Sequence, residues 1–525
     1  MATQNQLIAD HKTIQHLKRQ RAARLARIIG GAYYRWRGKQ MDDMYRFICE
    51  EFMAMGGVYV KFLQGVLLRS DMMRAWQSPE RLRVFENLDT EPIEVTSFLQ
   101  KELPKEKLAH ITNINPEPFA AGSFGQVYFG QHIGGKPIII KILRPMIRET
   151  LKFDLKLLSI FMRRFSKRLY PNTDMDLRKP IEDFKNATMR ETDYPGEAAF
   201  AAEMHRIYKD HPKFIIPETF TELCTENIIV QEYIDGISAA HLVKIKEQGF
   251  DPHDYVTQYL GSDLDEQLET IGFEYIVGIF ALERVQGDPH PGNIRLMKDN
   301  KVGLIDFGIY ARTPREKPAL FGLLKEYQHM YQGKLDVADL FGQFMRFFSP
   351  ELYLALDRIN MLLPSEQQSD NLARDIGTVA AEGFDKKTNN SSVQQMIKDG
   401  SILKSINQLT NKDNRFGIIM RVESADMLRA AQTYITLVES LGSDKVLPHV
   451  FEKSLNKIET AYGHFTHDDG NPLSVNRAVE VIAAWLERVA ERDPVLFNVL
   501  SAKMRSGEKE ARELEKTIQQ ELNKK

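Results

Sequence analysis

The chain has 525 residues, of which 43% are hydrophobic and 27% are charged, and its formal net charge is −2. This composition is typical of a folded protein with enough core for two to four domains or subdomains. Because the charges nearly balance, the chain as a whole has no general attraction to nucleic acid, and we expect no nucleic-acid partner.

Three features of the sequence bear on its compartment. Only Cys49 and Cys224 are present, far apart, which favours a reducing environment over a disulfide framework. The first fifteen residues contain no apolar segment of a secretory signal. The longest nearly apolar run, 271–282, contains Glu274 and is too short to cross a bilayer. We therefore expect a cytoplasmic protein whose contact with a membrane is at most peripheral.

The N-terminal region is locally basic. From Lys12 to Lys39 it carries nine Lys and Arg residues and no acid, while apolar residues recur near helical spacing. This pattern predicts a basic amphipathic helix, which would suit peripheral contact with an anionic lipid surface. A solvated helix packed on its own domain, or a partner-binding arm, would have the same pattern, and the sequence leaves these alternatives open.

Helices and strands alternate through the next part of the chain. Apolar periodicity and turn residues distinguish the two kinds of segment, and Gly134-Gly135 predicts a tight turn between two strands. In chain order the prediction is helices in 1–110, strands in 117–145, helices in 146–210, two strands in 214–236, helices in 241–285, a hairpin in 286–308, and a largely helical remainder after 312.

The hairpin contains a group of side chains that suits a cation. Two short strands, 294–297 and 301–305, flank a turn. Antiparallel pairing brings the outer ends of a hairpin together, so we expect Asn293 and Asp306 to be neighbours. Their amide and carboxylate oxygens would suit a hard divalent cation. Asp288, five residues before Asn293, would orient a nucleophile or accept a proton.

A glycine-containing turn precedes the hairpin in the sequence. Gly122 and Gly125 lie between two strand-like segments, so the main chain can turn tightly there and bring its N–H groups close to an anion. Glycine-rich hairpins without a ligand are also common, so the turn alone does not assign a function.

Lys141 interrupts an Ile-rich pattern that predicts a buried strand. A buried ammonium requires a carboxylate or a phosphate partner, whereas a lysine at a sheet edge would extend into solvent. Glu197, near the start of a predicted helix, is the candidate partner. Glu191 and Asp193 precede it and would otherwise be exposed acids at the start of a helix.

Together these elements match the order of parts in kinase phosphoryl transfer: glycine turn, strand Lys, helix Glu, Asp-x₄-Asn and Asp-Phe-Gly. The sequence resembles the UbiB/AarF family of atypical kinase-like proteins from about residue 50 to 312. The matching segments are VKFLQGVLLRSD for the Lys-x-Gly-Gln helix, PFAAGSFGQVY for the alanine-rich nucleotide loop, ETDYPGEA for the Glu-x-Asp element, and GDPHPGN with DFG for the catalytic and metal motifs.

The resemblance implies an α+β, bilobal protein-kinase-like fold with an N-terminal helical extension and a large C-terminal helical region. The extension would span 1–110 and the kinase-like N-lobe, with its helical insert, 111–235. The kinase-like C-lobe would span 236–345 and the helical C-terminal region 346–525.

The resemblance also implies roles for individual residues, with ATP and Mg²⁺ as cofactors. Lys141 would contact the nucleotide phosphates and pair with Glu197. Asn293 and Asp306 would hold Mg²⁺, and Asp288 would occupy the catalytic-loop position. The remaining nucleotide-binding residues implied are Ala121, Gly122, Ser123, Phe124, Gly125, Glu232 and Ile234.

A helical cover distinguishes this family from protein kinases. Lys61 would reach over the active site towards Glu191, with Asp193 alongside and Gln64 on the same helix face as Lys61. In the family this cover fills the place of a protein substrate, which implies ATP binding, ATP hydrolysis and support of isoprenoid-lipid (ubiquinone-type) metabolism. The expected partners are ATP and an isoprenoid lipid or phenolic small molecule. The alternatives are a small-molecule phosphotransferase resembling aminoglycoside and choline kinases, and a non-enzymatic nucleotide-binding scaffold.

The sequence departs from the family pattern at three places. Leu63 stands where the family has Gly, which predicts looser packing of the Lys61 helix against the nucleotide loop. Gly122 replaces an Ala, which predicts altered nucleotide affinity or selectivity because main-chain N–H groups would approach phosphates more freely. Gln286-Gly287 replace His-Ala before Asp288, so the packing of that His is lost.

Overall fold

A computed structural model of the chain describes residues 2–63, 93–122, 124–145, 147–169, 178–313, 317–334, 336–360, 422–462, 474–492, 494 and 497–498. Gln64 and Ser123, two of the predicted site residues, lie outside these ranges. The chain divides into two compact units. The first unit comprises Met1–His211, Ile215–Asp235 and Ile305–Ile309, and the second comprises Pro212–Phe214, Gly236–Leu304 and Tyr310–Lys525.

The first unit begins with a helical layer, as the periodicity of residues 1–110 predicts. Its apolar residues at helical spacing, such as Leu25, Ile28 and Phe52, are buried in a common core. The amphipathic N-terminal helix therefore packs its apolar side on its own unit. The helices of this unit are α1 (Ala2–Arg37), α2 (Met41–Met55), α3 (Val58–Phe62), α4 (Val95–Glu102), α5 (Lys105–Leu108), α6 (Ile147–Leu169), α7 (Arg178–Glu191) and α8 (Tyr194–Tyr208).

The first unit also contains a five-stranded antiparallel sheet. Its order is β1-β3-β4-β6, and β2 also pairs with β3. Gly135, with φ +81°, forms the predicted tight turn between β3 and β4, a conformation that favours glycine. The strands are β1 (Ile111–Thr112), β2 (Pro118–Ala121), β3 (Gly125–His132), β4 (Pro137–Leu143) and β6 (Ile228–Glu232), and a two-residue strand, β5 (Phe214–Ile215), precedes β6 in the chain.

The two faces of this sheet differ. Side chains alternate along a strand, so Ile140 and Ile142 face an apolar core that also contains Val230. Lys141 lies on the opposite face, paired in register with Val127 on β3 and Ile229 on β6. The alternation of β4 thus places one lysine on the face that bears the candidate site.

The second unit is mostly helical. The prediction of helix through 241–285 is wrong at its end, because α11 stops at Ala281 and residues 284–286 pair as a strand with 310–312. Its helices are α9 (Ala239–Glu247), α10 (Pro252–Leu260), α11 (Leu264–Ala281), α12 (Lys317–Tyr331), α13 (Val337–Phe348), α14 (Pro350–Asn360), α15 (Val422–Leu441), α16 (Val446–Tyr462) and α17 (Val475–Arg492). Its further strands are β7 (Ile237–Ser238), β8 (Arg284–Gln286), β9 (Ile294–Leu296), β10 (Val302–Leu304) and β11 (Tyr310–Arg312).

The predicted hairpin is confirmed as β9 and β10, which pair antiparallel from Ile294↔Leu304 to Leu296↔Val302. Both strands are shorter than predicted, and Asp299 and Asn300 in the turn between them adopt φ +61° and +54°. The combination of helices and antiparallel strands confirms the predicted α+β class. Among the described residues, no helix is both long and apolar enough to span a membrane.

Candidate active site

The centre of the site is a buried ion pair between β4 and α8. Lys141 Nζ lies 2.7 Å from Glu197 Oε1, and the side chains are only 15% and 7% exposed. Asp193 caps α8 by accepting a hydrogen bond from the Gly196 N–H, so the helix begins at Tyr194 and presents Glu197 in its first turn. The pairing of Lys141 with Glu197 predicted from the sequence is confirmed.

Asp306 adds a second carboxylate near this pair. Burial acts to lower the pKa of Lys141, but the charges of Glu197 and Asp306 outweigh it and raise that pKa, so the amine stays protonated. Burial raises the pKa of Glu197; Lys141 opposes this shift, and Asp306 reinforces it. One ammonium therefore faces two acids, an excess of negative charge that favours a bound cation.

The two residues after Asp306 fix its place in the first unit. Phe307 is buried and packs edge-on against Phe200 of α8, with ring centroids 5.6 Å apart. Gly308 donates its N–H to Asp306 Oδ1 at 3.0 Å, and a Cβ at Gly308 would come within 3.1 Å of Glu197 Oε2. The Asp-Phe-Gly sequence thus supplies an acid, an apolar anchor and a residue small enough to lie against Glu197.

The glycine turn is held together by its own main chain. Gly122 donates its N–H to Gly125 O at 2.9 Å, and Gly122 O accepts from Arg144 at 2.6 Å. The Gly122 N–H therefore has a partner within the turn, and the effect of Gly122 on nucleotide affinity stays a prediction. Ala121 and Gly122 are exposed.

Tyr194 is a site residue that the sequence reasoning missed. A Cβ on Gly125 would lie 2.6 Å from the Tyr194 hydroxyl and 2.8 Å from Ile142 O, so only glycine fits between α8 and the sheet. Burial raises the pKa of Tyr194, and the charge of Glu197 adds to the shift. The available signal was its position directly after Asp193 in the ETDYPGEA segment.

Lys61 of α3 pairs with the acid that the resemblance implies. It forms an ion pair with Glu191 at the end of α7, and its Nζ lies 5.5 Å from the centroid of the Phe124 ring. Leu63 is fully buried in the apolar core that also contains Phe124, so the core accommodates a leucine at this position. The looser packing expected from Leu63 is not found.

Glu232 is the last residue of β6 and Ile234 follows the strand, but the Glu232 carboxylate contacts Lys136 and Glu218. It lies 3.4 Å from Lys136 Nζ and accepts from the Glu218 N–H at 3.2 Å. Ile234 is buried. If Glu232 contacts a nucleobase, its main-chain atoms would therefore make the contact.

Asp288 and Asn293 lie in the second unit and are joined by hydrogen bonds. Asn293 Nδ2 donates to Asp288 O at 3.1 Å. Gln286 donates from Nε2 to the same Asp288 O at 2.5 Å and accepts from the Asp288 N–H through Oε1 at 3.1 Å. The role of Gln286 was missed because the sequence indicated only the loss of a His.

Tyr275, on α11, is another residue that the sequence did not indicate. Its hydroxyl is buried without a hydrogen-bond partner among the described residues. Burial raises its pKa, and the charge of Asp288 raises it further. No sequence signal singled it out, because its place on an apolar helix is typical of a core residue.

The residues at these positions fit Mg²⁺ bound together with a nucleotide. Among the described residues, no group of three or more His, Cys, Asp or Glu side chains could hold a metal. Mg²⁺ does not need such a group, since it is commonly held by one or two side chains, water and substrate phosphates. Asp306 provides a carboxylate, and the hydrogen bond from Asn293 Nδ2 leaves its amide oxygen as the atom for a cation. Because Asp306 and Asn293 lie in different units, their joint ligation stays a prediction.

Comparisons with known proteins identify a kinase-like domain in the chain. Residues 87–328 match the family model described as ABC1 atypical kinase-like domain. The chain is 26% identical over 306 residues to the chloroplastic protein ACTIVITY OF BC1 COMPLEX KINASE 3 of Arabidopsis thaliana, covering 57% of this chain and 40% of that protein. It is 30% identical over 260 residues to ACTIVITY OF BC1 COMPLEX KINASE 1 of the same plant, covering 48% of this chain and 36% of that protein.

The chain thus spans only 36–40% of the length of these two relatives. Among solved structures it is similar to Rv3197 of Mycobacterium tuberculosis, determined with erythromycin, with a TM-score of 0.41 and 18% identity over 82% of this chain and 98% of that one. The family-model match and the named relatives confirm the resemblance seen in the sequence and the kinase-like fold. Residues 87–328 therefore form an ABC1 atypical kinase-like domain, in agreement with the resemblance to the UbiB/AarF family.

Proposed function

We propose that this protein binds Mg²⁺–ATP and is an atypical kinase-like ATPase or phosphotransferase. The observation that carries the proposal is the buried Lys141 ammonium, which is paired with Glu197 and is also under the electrostatic influence of Asp306. An excess of negative charge beside a buried ammonium is costly, and a charged ligand would offset that cost. A nucleotide triphosphate with its cation is such a ligand.

Each residue has a stated task in this proposal. Lys141 binds the phosphates and is kept protonated and oriented by Glu197. Asp306 and Asn293 hold Mg²⁺, which supplies charge neutralisation at the phosphates when it is bound. Asp288 orients the attacking hydroxyl or water and takes its proton.

Lys61 and the nucleotide loop complete the proposed site. Lys61, paired with Glu191 beside Phe124, covers the site from α3. Such a cover occupies the space that a protein substrate would need, so the acceptor is a small molecule, a lipid or water. From the family resemblance we propose an isoprenoid-lipid or phenolic molecule as the partner, within ubiquinone-type metabolism.

The test is ATP turnover by the full chain with Mg²⁺, alone and with isoprenoid lipids or phenols. Asp306→Asn should abolish phosphate release while leaving the protein folded. The substitution replaces one carboxylate oxygen of the proposed cation site by an amide NH₂ group and removes its negative charge. Asp299→Asn is the matched control: it is the same substitution at an exposed turn position of the neighbouring hairpin, and it should turn over normally. Unchanged turnover in Asp306→Asn would remove Asp306 from the site.

Two other outcomes correspond to the alternatives. ATP that raises the melting temperature without phosphate release would identify a nucleotide-binding scaffold. Transfer of phosphate to an aminoglycoside or choline, with no response to lipids or phenols, would identify a small-molecule phosphotransferase.

We further propose that any membrane contact is peripheral and electrostatic, through the exposed basic residues of α1 and the turn after it. Leu25, Ile28 and Ala32 of α1 are buried in the first unit, so its apolar side is already used. Replacing the exposed Arg19, Arg37 and Lys39 together by Gln should reduce co-sedimentation with anionic vesicles. Equal sedimentation of the native protein with anionic and neutral vesicles would contradict this proposal.

A further inference from the structure

Gln286 stands where the family has a His, and its side chain makes an unusual pair of contacts. It is only 2% exposed and lies at the end of β8, opposite Tyr310 of β11. Its amide oxygen accepts from the Asp288 N–H at 3.1 Å, and its amide nitrogen donates to Asp288 O at 2.5 Å. One side chain thus binds both polar groups of a single main-chain residue.

The same carbonyl also anchors Asn293. Asn293 Nδ2 donates to Asp288 O at 3.1 Å, so the two amides of Gln286 and Asn293 converge on one oxygen. A carbonyl oxygen has two lone pairs, and both are directed to these donors. The position of Asp288 and the orientation of the Asn293 amide therefore depend on each other.

We propose that Gln286 is a positioning residue that fixes the main chain of Asp288 and, through Asp288 O, the amide orientation of Asn293. The catalytic consequence rests on the proposed function, since Asp288 and Asn293 are the residues we assign to proton transfer and to Mg²⁺. The hydrogen-bond arrangement itself does not depend on that function.

No other common side chain reproduces this pattern at this reach. Glu has the shape of Gln but cannot donate at neutral pH, so its second oxygen would face Asp288 O and repel it. Met fills the volume without either hydrogen bond, and leaves the Asp288 N–H without this partner. The imidazole of His offers one ring nitrogen on each side of its ring and cannot bind the N–H and the C=O of one residue as an amide does.

The experiment compares Gln286→Met and Gln286→Glu with a matched control, Gln267→Met. Gln267 is also a fully buried glutamine of the second unit, and it donates to two main-chain carbonyls, Met297 O and Lys301 O, at 2.7 Å each. These carbonyls lie at the turn of the hairpin, away from Asp288. The control therefore measures the general cost of losing a buried amide that is bound to main chain.

Both Gln286 variants should lower kcat for ATP by about 10- to 100-fold, because a small displacement of a catalytic group costs this much. KM for ATP should change less than about threefold, since Lys141 and Glu197 are untouched, and more Mg²⁺ should be needed for half-maximal rate. Gln267→Met should lose thermal stability to a similar degree while keeping kcat. Normal kcat and Mg²⁺ dependence in Gln286→Met would overturn the proposal.

Hydrogen exchange gives a readout that does not need turnover. The Asp288 amide should exchange faster in both Gln286 variants and stay protected in Gln267→Met. If the native protein releases no phosphate but the exchange pattern is as expected, the proposed function fails and the positioning role stands. If the Asp288 amide stays protected in Gln286→Met, the positioning role fails, whatever the turnover.

Discussion

Replacing Glu197 by Gln should destabilise the first unit by about 2–4 kcal/mol, because it removes the charged partner of a buried ammonium. At 2.7 Å and an effective dielectric constant of about 20, the attraction between Lys141 and Glu197 is about 6 kcal/mol before the cost of burying both charges. Breaking a buried pair typically costs about 3–5 kcal/mol. The carboxylate of Asp306 still offsets part of the cost of burying the Lys141 charge. The expected loss of stability therefore lies towards the lower end of that range.

A double-mutant cycle with Lys141→Met isolates the contact. The interaction of Lys141 with Asp306 is lost in both arms that carry Lys141→Met, so it cancels from the coupling energy. The free energy of unfolding is measured by urea denaturation of the nucleotide-free protein, followed in the transition that reports on the first unit. We expect a coupling energy of about 2 kcal/mol between positions 141 and 197.

The matched control is Lys136 with Glu218, an exposed ion pair of the same unit. Its Nζ–Oε2 distance is 2.9 Å, but the side chains are 42% and 43% exposed, so solvent screens the attraction. The same cycle there, with Lys136→Met and Glu218→Gln, should give about 0–1 kcal/mol. A coupling energy at Lys141 and Glu197 below about 0.5 kcal/mol would refute the reasoning that burial makes this pair strong.

Three further predictions concern single positions. Gly122→Ala restores the residue of the family pattern. An added Cβ would lie 3.9 Å from its nearest atom, Gly125 O, and φ at this position is not positive. The free energy of unfolding in urea should therefore rise by about 0.4–1 kcal/mol, and calorimetry with ATP would measure the change in nucleotide affinity. Burial raises the pKa of Asp154 from 3.8 to about 6, despite its ion pair with Arg21. Between about pH 4 and pH 6 the Asp154 carboxyl is therefore protonated in the folded state but ionised in the unfolded state. The free energy of unfolding should rise on account of Asp154 as the pH falls through 6. Asp154→Asn should show a smaller gain in melting temperature from pH 7 to pH 5 than the native protein, and an equal gain would contradict the assignment. Tyr275→Phe removes a hydroxyl that has no hydrogen-bond partner among the described residues, so its melting temperature should be unchanged or higher; a clear decrease would show that the hydroxyl is bonded in solution.

Much of the site was accessible from the sequence because its residues occur in short, ordered patterns. Lys141 interrupts an Ile-rich segment that predicts a buried strand, and a lysine buried there requires a carboxylate or a phosphate partner. Asp299 and Asn300 predicted the turn of the hairpin because such residues tolerate positive φ. The helical N-terminal region and the antiparallel strands followed from the period of their apolar residues.

The tertiary structure decided the features that depend on burial and on how separate segments pack together. Gln286 was read as the loss of a His, whereas its burial lets its amide bind the main chain of Asp288. Tyr194 became visible as a site residue only when α8 met the sheet at Gly125. Leu63 was expected to loosen the packing of α3, but it is enclosed in the core.

The apolar side of α1 shows the same division. By itself, the sequence determined that this segment is a basic amphipathic helix, because charge and apolar spacing are local properties of the chain. Whether its apolar side would meet a membrane or a protein core depended on which other surfaces were available. In the folded protein α1 packs against α2 and α6, and Leu25 and Ile28 are buried there. The apolar side of α1 therefore meets a protein core and not a membrane.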